Sequence, residues 1–210
     1  MATERLNRQL DLLVPTDLDI HIVGCGGIGS WTALALAKMG YERITLYDFD
    51  NVEDHNIATQ FYDVEDIGKR KTEALATNIE NFSGVKAVAI NSRPDGIKGD
   101  VLIMAVDSMK SRAELAKLIP NFQFVIDGRM GGLVANIFSF MPFEKDRYEA
   151  TLFTDEEAAP EPCTARAICF NVFSIAGMIG NMVKRFDRGE AMPFETNLDM
   201  VNIKTYTTKF

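Results

Sequence analysis

This sequence predicts a doubly wound α/β fold, and three observations carry that prediction. An apolar run, Ile20 to Val23, leads into the turn Gly24-Cys25-Gly26-Gly27-Ile28-Gly29, and a helical run follows to Met39. The next apolar run ends on Asp48, about 20 residues past the turn, where this fold puts the acid that accepts from a ribose hydroxyl. Apolar and helical runs then alternate as far as Asp127, the order of a mostly parallel sheet with crossover helices.

Each element has its own signal. Residues 1–16 read as an N-terminal helical segment, with Leu6, Leu10 and Leu13 on one face. A strand over Asp19–Val23 precedes the glycine turn. In such a turn backbone N–H groups and the positive end of the following helix face an anion. Residues without a Cβ let a phosphate approach the backbone closely. The helix from Gly27 ends at Met39 before Gly40, a C-terminal cap residue. Strand two is Arg43–Tyr47, and a polar segment, Asp48–Tyr62, follows. Loops of that length in a compact domain usually have a functional role.

A helix over Lys69–Asn81 ends at Ser83-Gly84, and strands follow over Val85–Ile90 and Val101–Ala105. Ser108–Ile119 is helical up to Pro120, and Phe124–Asp127 is a strand. Leu133–Phe140 is reached through Gly131-Gly132, too short a link for a crossover, so this strand runs antiparallel. Residues 142–162 read as a mobile crossover loop, Thr164–Arg185 as a buried helix, and 197–207 as a terminal edge strand. The whole chain, 1–210, is expected to be one domain.

Composition narrows the function. The net charge of −8 argues against a general nucleic-acid binder, which needs a basic face. Three cysteines, Cys25, Cys163 and Cys169, form no C-x-x-C pair, so no four-cysteine zinc site is expected. Their odd, low number suits a reducing compartment. With no signal-peptide pattern and no spanning apolar run, the expectation is a cytoplasmic protein without a membrane segment.

Up to Asp48, a nicotinamide-dependent dehydrogenase and an ATP-using enzyme explain the residues equally well. The next segment separates them. Asp48-Phe49-Asp50-Asn51-Val52, followed by Asn56 and Thr59-Gln60, resembles the D-x-D-x-V-x-x-x-N-x-x-R-Q segment of ubiquitin-activating-enzyme-like adenylyltransferases. That superfamily includes the ThiF, MoeB and HesA families. Further stretches fall in the same order. Arg5-Leu6-Asn7-Arg8-Gln9 is similar to the R-Y-x-R-Q opening, and Gly68-Lys69-Arg70-Lys71 to G-x-x-K. Val106-Asp107-Ser108 is similar to the strand-end aspartate, and Arg112 matches an arginine of the next helix. Pro162-Cys163-Thr164 and the helix after it resemble the late cysteine region, most closely that of the ubiquitin-fold-modifier activating enzyme. The likeness spans residues 5 to 185.

The resemblance implies adenylation of a partner's C-terminal carboxylate by ATP, with pyrophosphate leaving. It implies that Gly24, Gly26, Gly27, Gly29, Asp48, Asp50, Asn56, Gln60 and Lys71 bind the nucleotide. Lys71 and Arg8 would supply positive charge and Asp107 would hold Mg²⁺. The implied partner is a small ubiquitin-like or sulfur-carrier protein. Arg8 would reach the other subunit of a homodimer. Cys163 would then accept the acyl group, or else be structural. The chain has no room for the extra domains of the large eukaryotic activators, so a minimal form is expected.

One departure stands out. Thr59 occupies the position of the family's arginine. Arg70 and Arg129 are the candidate substitutes, and a degenerate nucleotide-binding or docking module is the alternative if neither serves. A small molecule or a tRNA base as the activated substrate also stays open. Among the plainer readings, Asp107 caps the helix after it, Cys169 is core, His21 packs in the sheet, and Cys25 is a small residue in a tight turn.

Overall fold

The computed structural model describes residues 2–153 and 167–208. An eight-stranded sheet has the order β3-β2-β1-β4-β5-β6-β7-β8. Its parallel half comprises β1 (Ile20–Val23), β2 (Ile44–Tyr47), β3 (Val88–Ile90), β4 (Val101–Met104) and β5 (Phe124–Gly131). The antiparallel half adds β6 (Val134–Phe140), β7 (Glu195–Asp199) and β8 (Lys204–Thr208). The chain first builds outward on one side of β1, then crosses to build on the other. Strand order therefore reverses between β1 and β4, where doubly wound sheets leave a crevice.

Alternation along each strand sends residues to two cores. Ile20, Ile22, Ile44, Leu46, Val101 and Ile103 belong to one buried cluster. Helices α2 (Gly27–Met39), α3 (Lys71–Ser83) and α6 (Cys169–Asp187) bury residues in that same layer. Val23, Leu102, Met104 and Val125 face the opposite way, towards Leu115 and Ile119 beside α4 (Met109–Leu115) and Tyr148 of α5 (Lys145–Glu149). Helix α2 lies closely on α6: a Cβ on Gly180 would come 3.1 Å from Met39 Sδ.

Several expected boundaries move. The N-terminal helical segment is helical only over α1 (Ala2–Leu6). Residues 7–12 form turns that wrap the ends of other helices. Arg5 Nη1 donates to Ser83 O at 3.0 Å, Gln9 Nε2 donates to Lys38 O at 3.0 Å, and Leu6 lies against Gly40. The leucine spacing thus serves a strap over helix C-termini, with Leu13 buried and Leu12 exposed. The expected strand at 197–207 is a hairpin, β7 and β8, because Asp199 accepts from the backbone of Val201 and Asn202 and makes a turn. The loop expected at 142–162 begins with a short 3-10 turn, Pro142–Glu144, and α5, which Tyr148 anchors in the core. The rest of that segment from 154 on, Cys163 included, lies outside the described residues. The last long helix starts at Cys169, which is exposed rather than core. Among the described residues no helix is long and apolar enough to cross a membrane.

Candidate active site

The C-terminal ends of β1 to β5 open into a cavity of about 720 Å³. Each strand end contributes to its wall: Gly24 after β1, Asp48 after β2, Arg93 after β3, Asp107 after β4, and Arg129 in β5. A parallel sheet makes this possible, because all its carboxyl ends point the same way.

The glycines of the turn divide their tasks. Gly24 has φ +94, and a Cβ there would sit 2.5 Å from Ala105 O. A Cβ on Gly29 would meet Gly24 O at 1.8 Å. These two let the turn close against β4 and against itself. Gly26 differs: a Cβ there would meet nothing within 4 Å, and the residue lines the cavity. It leaves the cavity wall as bare backbone. Gly26 is also the N-cap of α2, with no side-chain cap and no acidic residue in the first turn. The first N–H groups of that helix are available to an anion.

Asp48 holds this arrangement in place. Its Oδ2 accepts from Cys25 N at 2.7 Å and its Oδ1 from Asp50 N at 2.9 Å. Each oxygen keeps a second lone pair that can accept a further hydrogen bond. Cys25 is fully buried, and burial pushes its thiol pKa well up, so it stays a neutral packing residue. Tyr62 donates to Cys25 O at 2.7 Å, and burial raises its pKa too.

The polar loop is tied down by α2. Trp31 Nε1 donates to Thr59 O at 3.0 Å, and Phe61 N donates to Ser30 Oγ at 3.0 Å. Asn56 is buried, its Oδ1 accepts from Glu53 N, and the residue lines the cavity with no bond from its amide nitrogen among the described residues. Gln60 also lines the cavity, and its Oε1 is buried with no partner among the described residues. An orphaned polar atom in a cavity wall suits a polar ligand. Lys71 is buried, with Nζ 3.0 Å from Asp50 Oδ2.

Asp107 lines the cavity, is exposed, and makes no hydrogen bond or ion pair among the described residues. It is not the cap of α4. Ser108 takes that role, accepting from Ser111 N at 3.1 Å, and Asp107 is left to the cavity. Among the described residues no group of three or more His, Cys, Asp or Glu is placed to hold a metal. Mg²⁺ with a nucleotide needs only one or two carboxylates beside phosphate oxygens and water, and Asp107 fits that pattern.

Sequence reasoning missed the cluster behind this wall. Asp127 is fully buried and receives Arg112 Nε at 3.0 Å, Arg129 Nε at 2.7 Å and Tyr148 OH at 3.0 Å. Burial and the Asp127 charge raise the Tyr148 pKa, so its hydroxyl remains a donor. A charge ending the apolar run Phe124-Val125-Ile126 was the signal available. Arg129 lines the cavity but is held from behind. Its Nη1 and Nη2 donate to Thr151 O and Oγ1, both at 2.9 Å, so all three nitrogens are engaged. Arg70 donates to Phe49 O and is not among the cavity residues.

Gly29 and Arg70 do not line the cavity, and Arg8 lies far from it. Arg8 follows α1, which packs at the C-terminal ends of α2 and α3. The cavity is at the N-terminal end of α2. The 13 residues of that helix span roughly 20 Å at 1.5 Å per residue. Within one chain Arg8 is exposed and remote from the site.

Comparison with known proteins identifies the family. The ThiF family matches residues 16–209. The chain belongs to the ThiF family. Among curated members, the tRNA threonylcarbamoyladenosine dehydratase of Escherichia coli is 33% identical over 124 residues, 54% of this chain and 46% of that protein. Ubiquitin-like modifier-activating enzyme 5 of Drosophila mojavensis is 29% identical over 132 residues, 53% of this chain and 33% of that protein. The aligned part thus covers less than half of either relative. Among solved structures, PaaA superposes with a TM-score of 0.75 at 18% identity, over 99% of this chain and 73% of that one. MccB of E. coli, solved with ATP, gives 0.74 at 16% identity, over 99% and 66%. These two show a shared ThiF-type fold.

Proposed function

We propose that this protein binds ATP along the strand ends and transfers its adenylyl group to a carboxylate, that of the C-terminus of a small ubiquitin-like or sulfur-carrier protein. One observation carries the reading: the bare backbone at Gly26, the acid Asp48, the cation Lys71 and the free carboxylate Asp107 line one cavity. Relatives support it by name. MccB has been solved with ATP, and another relative activates a ubiquitin-like modifier.

In this reading Asp48 takes the ribose, and the α2 N-terminus with Lys71 takes phosphate oxygens. Asn56 and Gln60 offer neutral polar contacts. A carboxylate oxygen of the partner attacks the α-phosphorus as the bond to the bridging oxygen breaks. An acyl-adenylate forms and pyrophosphate leaves with the electron pair. No general base is needed, since the nucleophile is already ionised. Asp107 would hold Mg²⁺, which neutralises phosphate charge when bound.

The partner's tail would enter beside residues 142–153. Arg8, remote within its own chain, would serve the site of a second copy. Cys163 would be the acyl acceptor after adenylation. The same reading keeps the protein in a reducing, cytoplasmic setting.

ATP–pyrophosphate exchange tests the proposal. Exchange should require a partner's free C-terminal carboxylate and vanish in Asp107→Ala. Exchange that persists in Asp107→Ala counts against the assignment, as does exchange with an amidated partner. Mixed Arg8→Ala and Asp107→Ala subunits should regain activity if the site is shared; no recovery restricts it to one chain. A conjugate sensitive to reducing agent and lost in Cys163→Ala would assign that cysteine.

Two further readings have specific support. Thr59 in place of an arginine favours a nucleotide-binding module without chemistry, which would bind ATP and exchange nothing. The relative named for threonylcarbamoyladenosine in tRNA favours an RNA-borne carboxylate, which would make exchange depend on tRNA. The net charge of −8 opposes that second option.

A further inference from the structure

The cluster around Asp127 holds an excess of positive charge. Two guanidiniums, Arg112 and Arg129, share one buried carboxylate. No other ion pair to either arginine occurs among the described residues. Arg112 is only 4% exposed. Burying an uncompensated cation is costly unless an anion comes to it.

The two arginines differ in what they leave free. Arg129 has one partner on each of its three nitrogens, and its guanidinium also lies 4.3 Å from the centre of the Phe138 ring. Arg112 donates through Nε to Asp127 and through Nη2 to Val106 O and Gly128 O. Its Nη1 has no partner among the described residues, and it is not one of the buried orphan atoms either. Arg112 lines the cavity. A nine-tenths buried guanidinium therefore offers one amino group to the cavity and holds the rest of itself fixed.

Position decides which anion suits it. Nη2 bridges Val106, just past β4, and Gly128, where β5 leaves its pairing with β4. The ribose acid Asp48 ends β2, and the glycine turn ends β1. With strands about 4.8 Å apart, Arg112 lies roughly 12 Å along the sheet from β2. A nucleotide with its ribose at Asp48 and its phosphates at the turn would leave Arg112 further along the sheet than its phosphates, where a second substrate would meet it.

We infer that Arg112 binds the substrate's carboxylate through Nη1, and that Asp127, Arg129 and Tyr148 are positioning residues that fix its guanidinium. This rests on the adenylation reading. Nη1 takes the carboxylate oxygen that does not attack and keeps it as the carbonyl oxygen of the acyl-adenylate. The fork is rigid because Asp127 is held from three sides, one of them Tyr148 on α5, at the base of the crossover segment. The partner's tail and the Arg112 fork would thus be set by the same packing.

The test compares two probes, AMP and the stable acyl-adenylate analogue glycyl-sulfamoyl adenosine, by calorimetric titration. Wild type should prefer the analogue. In Arg112→Gln the analogue should weaken by about 30-fold while AMP changes by less than about threefold, as expected for one lost charge-assisted hydrogen bond. If Arg112→Gln does not fold, Arg112→Lys is read instead and should lose about tenfold of the preference, since an ammonium cannot keep the fork geometry. Tyr148→Phe, which removes one donor from Asp127, should lower the preference with AMP unchanged. Equal weakening of both probes would overturn the inference in favour of a phosphate contact. An unchanged preference would reduce Arg112 to a structural role. A wild type that binds AMP without preferring the analogue would sink the adenylation reading itself.

Discussion

The two halves of the sheet use opposite rules. In the parallel half β1 and β4 are buried at every residue and short. They are covered on both faces, and their residues cannot alternate in polarity. In the antiparallel half β7 alternates buried and part-buried positions, and β8 is exposed throughout. Chemistry-bearing residues gather where parallel strands end together. The hairpin strands β7 and β8 contribute none to the cavity. The buried central strands of the parallel half, unlike its edge strand β3, are intolerant and frame the cavity. An exposed antiparallel edge is tolerant and completes the sheet.

Substitutions can break that contrast, the most severe first. Gly29→Val places a side chain where even a Cβ would lie 1.8 Å from Gly24 O. A loss of about 5 kcal/mol, enough to prevent folding, is expected from such overlap, and soluble expression with circular dichroism reads it. Asp127→Ala leaves two guanidiniums without their carboxylate and should cost about 3–5 kcal/mol in urea unfolding. Leu198→Ala, in the one buried stripe of β7, should cost about 2–3 kcal/mol. A larger loss than Asp127→Ala would invert the ranking of the halves.

The next effect is on pH. Burial lowers the His21 pKa from 6.5, against the pull of Asp19. The unfolded chain therefore takes the proton first as the pH falls through 6.5, and stability is lost below that value. His21→Gln should flatten the slope of melting temperature below pH 6.5 and leave the curve above it unchanged. An equal slope in both proteins would remove His21 as the cause. The smallest effect belongs to the edge. Thr207→Ala in exposed β8 should change stability by less than about 0.5 kcal/mol, measured by thermal melting.

The same contrast explains what could be read in the sequence. Ile20 to Val23 and Val101 to Met104 were legible because full burial demands continuous apolar runs. Asp48 and Asp107 were legible because each directly follows such a run, and Lys71 only through the likeness of Gly68-Lys69-Arg70-Lys71 to G-x-x-K. The strap of residues 7–12 was not, since leucines that cover helix ends mimic a helical face. The β7–β8 hairpin was hidden because its turn is made by Asp199 side-chain bonds and contains no glycine, with Ile203 at positive φ. Asp127 with Arg112, Arg129 and Tyr148 was out of reach, because four residues from three segments meet only through sheet pairing and helix packing. Cys169 was misjudged for a related reason: an apolar sequence around it did not reveal that Cys169 and Phe170 face outward while Asn171 and Val172 of the same turn are buried.

Asp48 binds the backbone of Cys25 on one side and of Asp50 on the other. One carboxylate thereby joins the glycine turn to the polar loop before any ligand arrives. The conformational entropy of these two segments is lost at folding and not at association. A ligand of this cavity would meet a wall already tied together, so its association rate should follow diffusion and charge rather than loop closure.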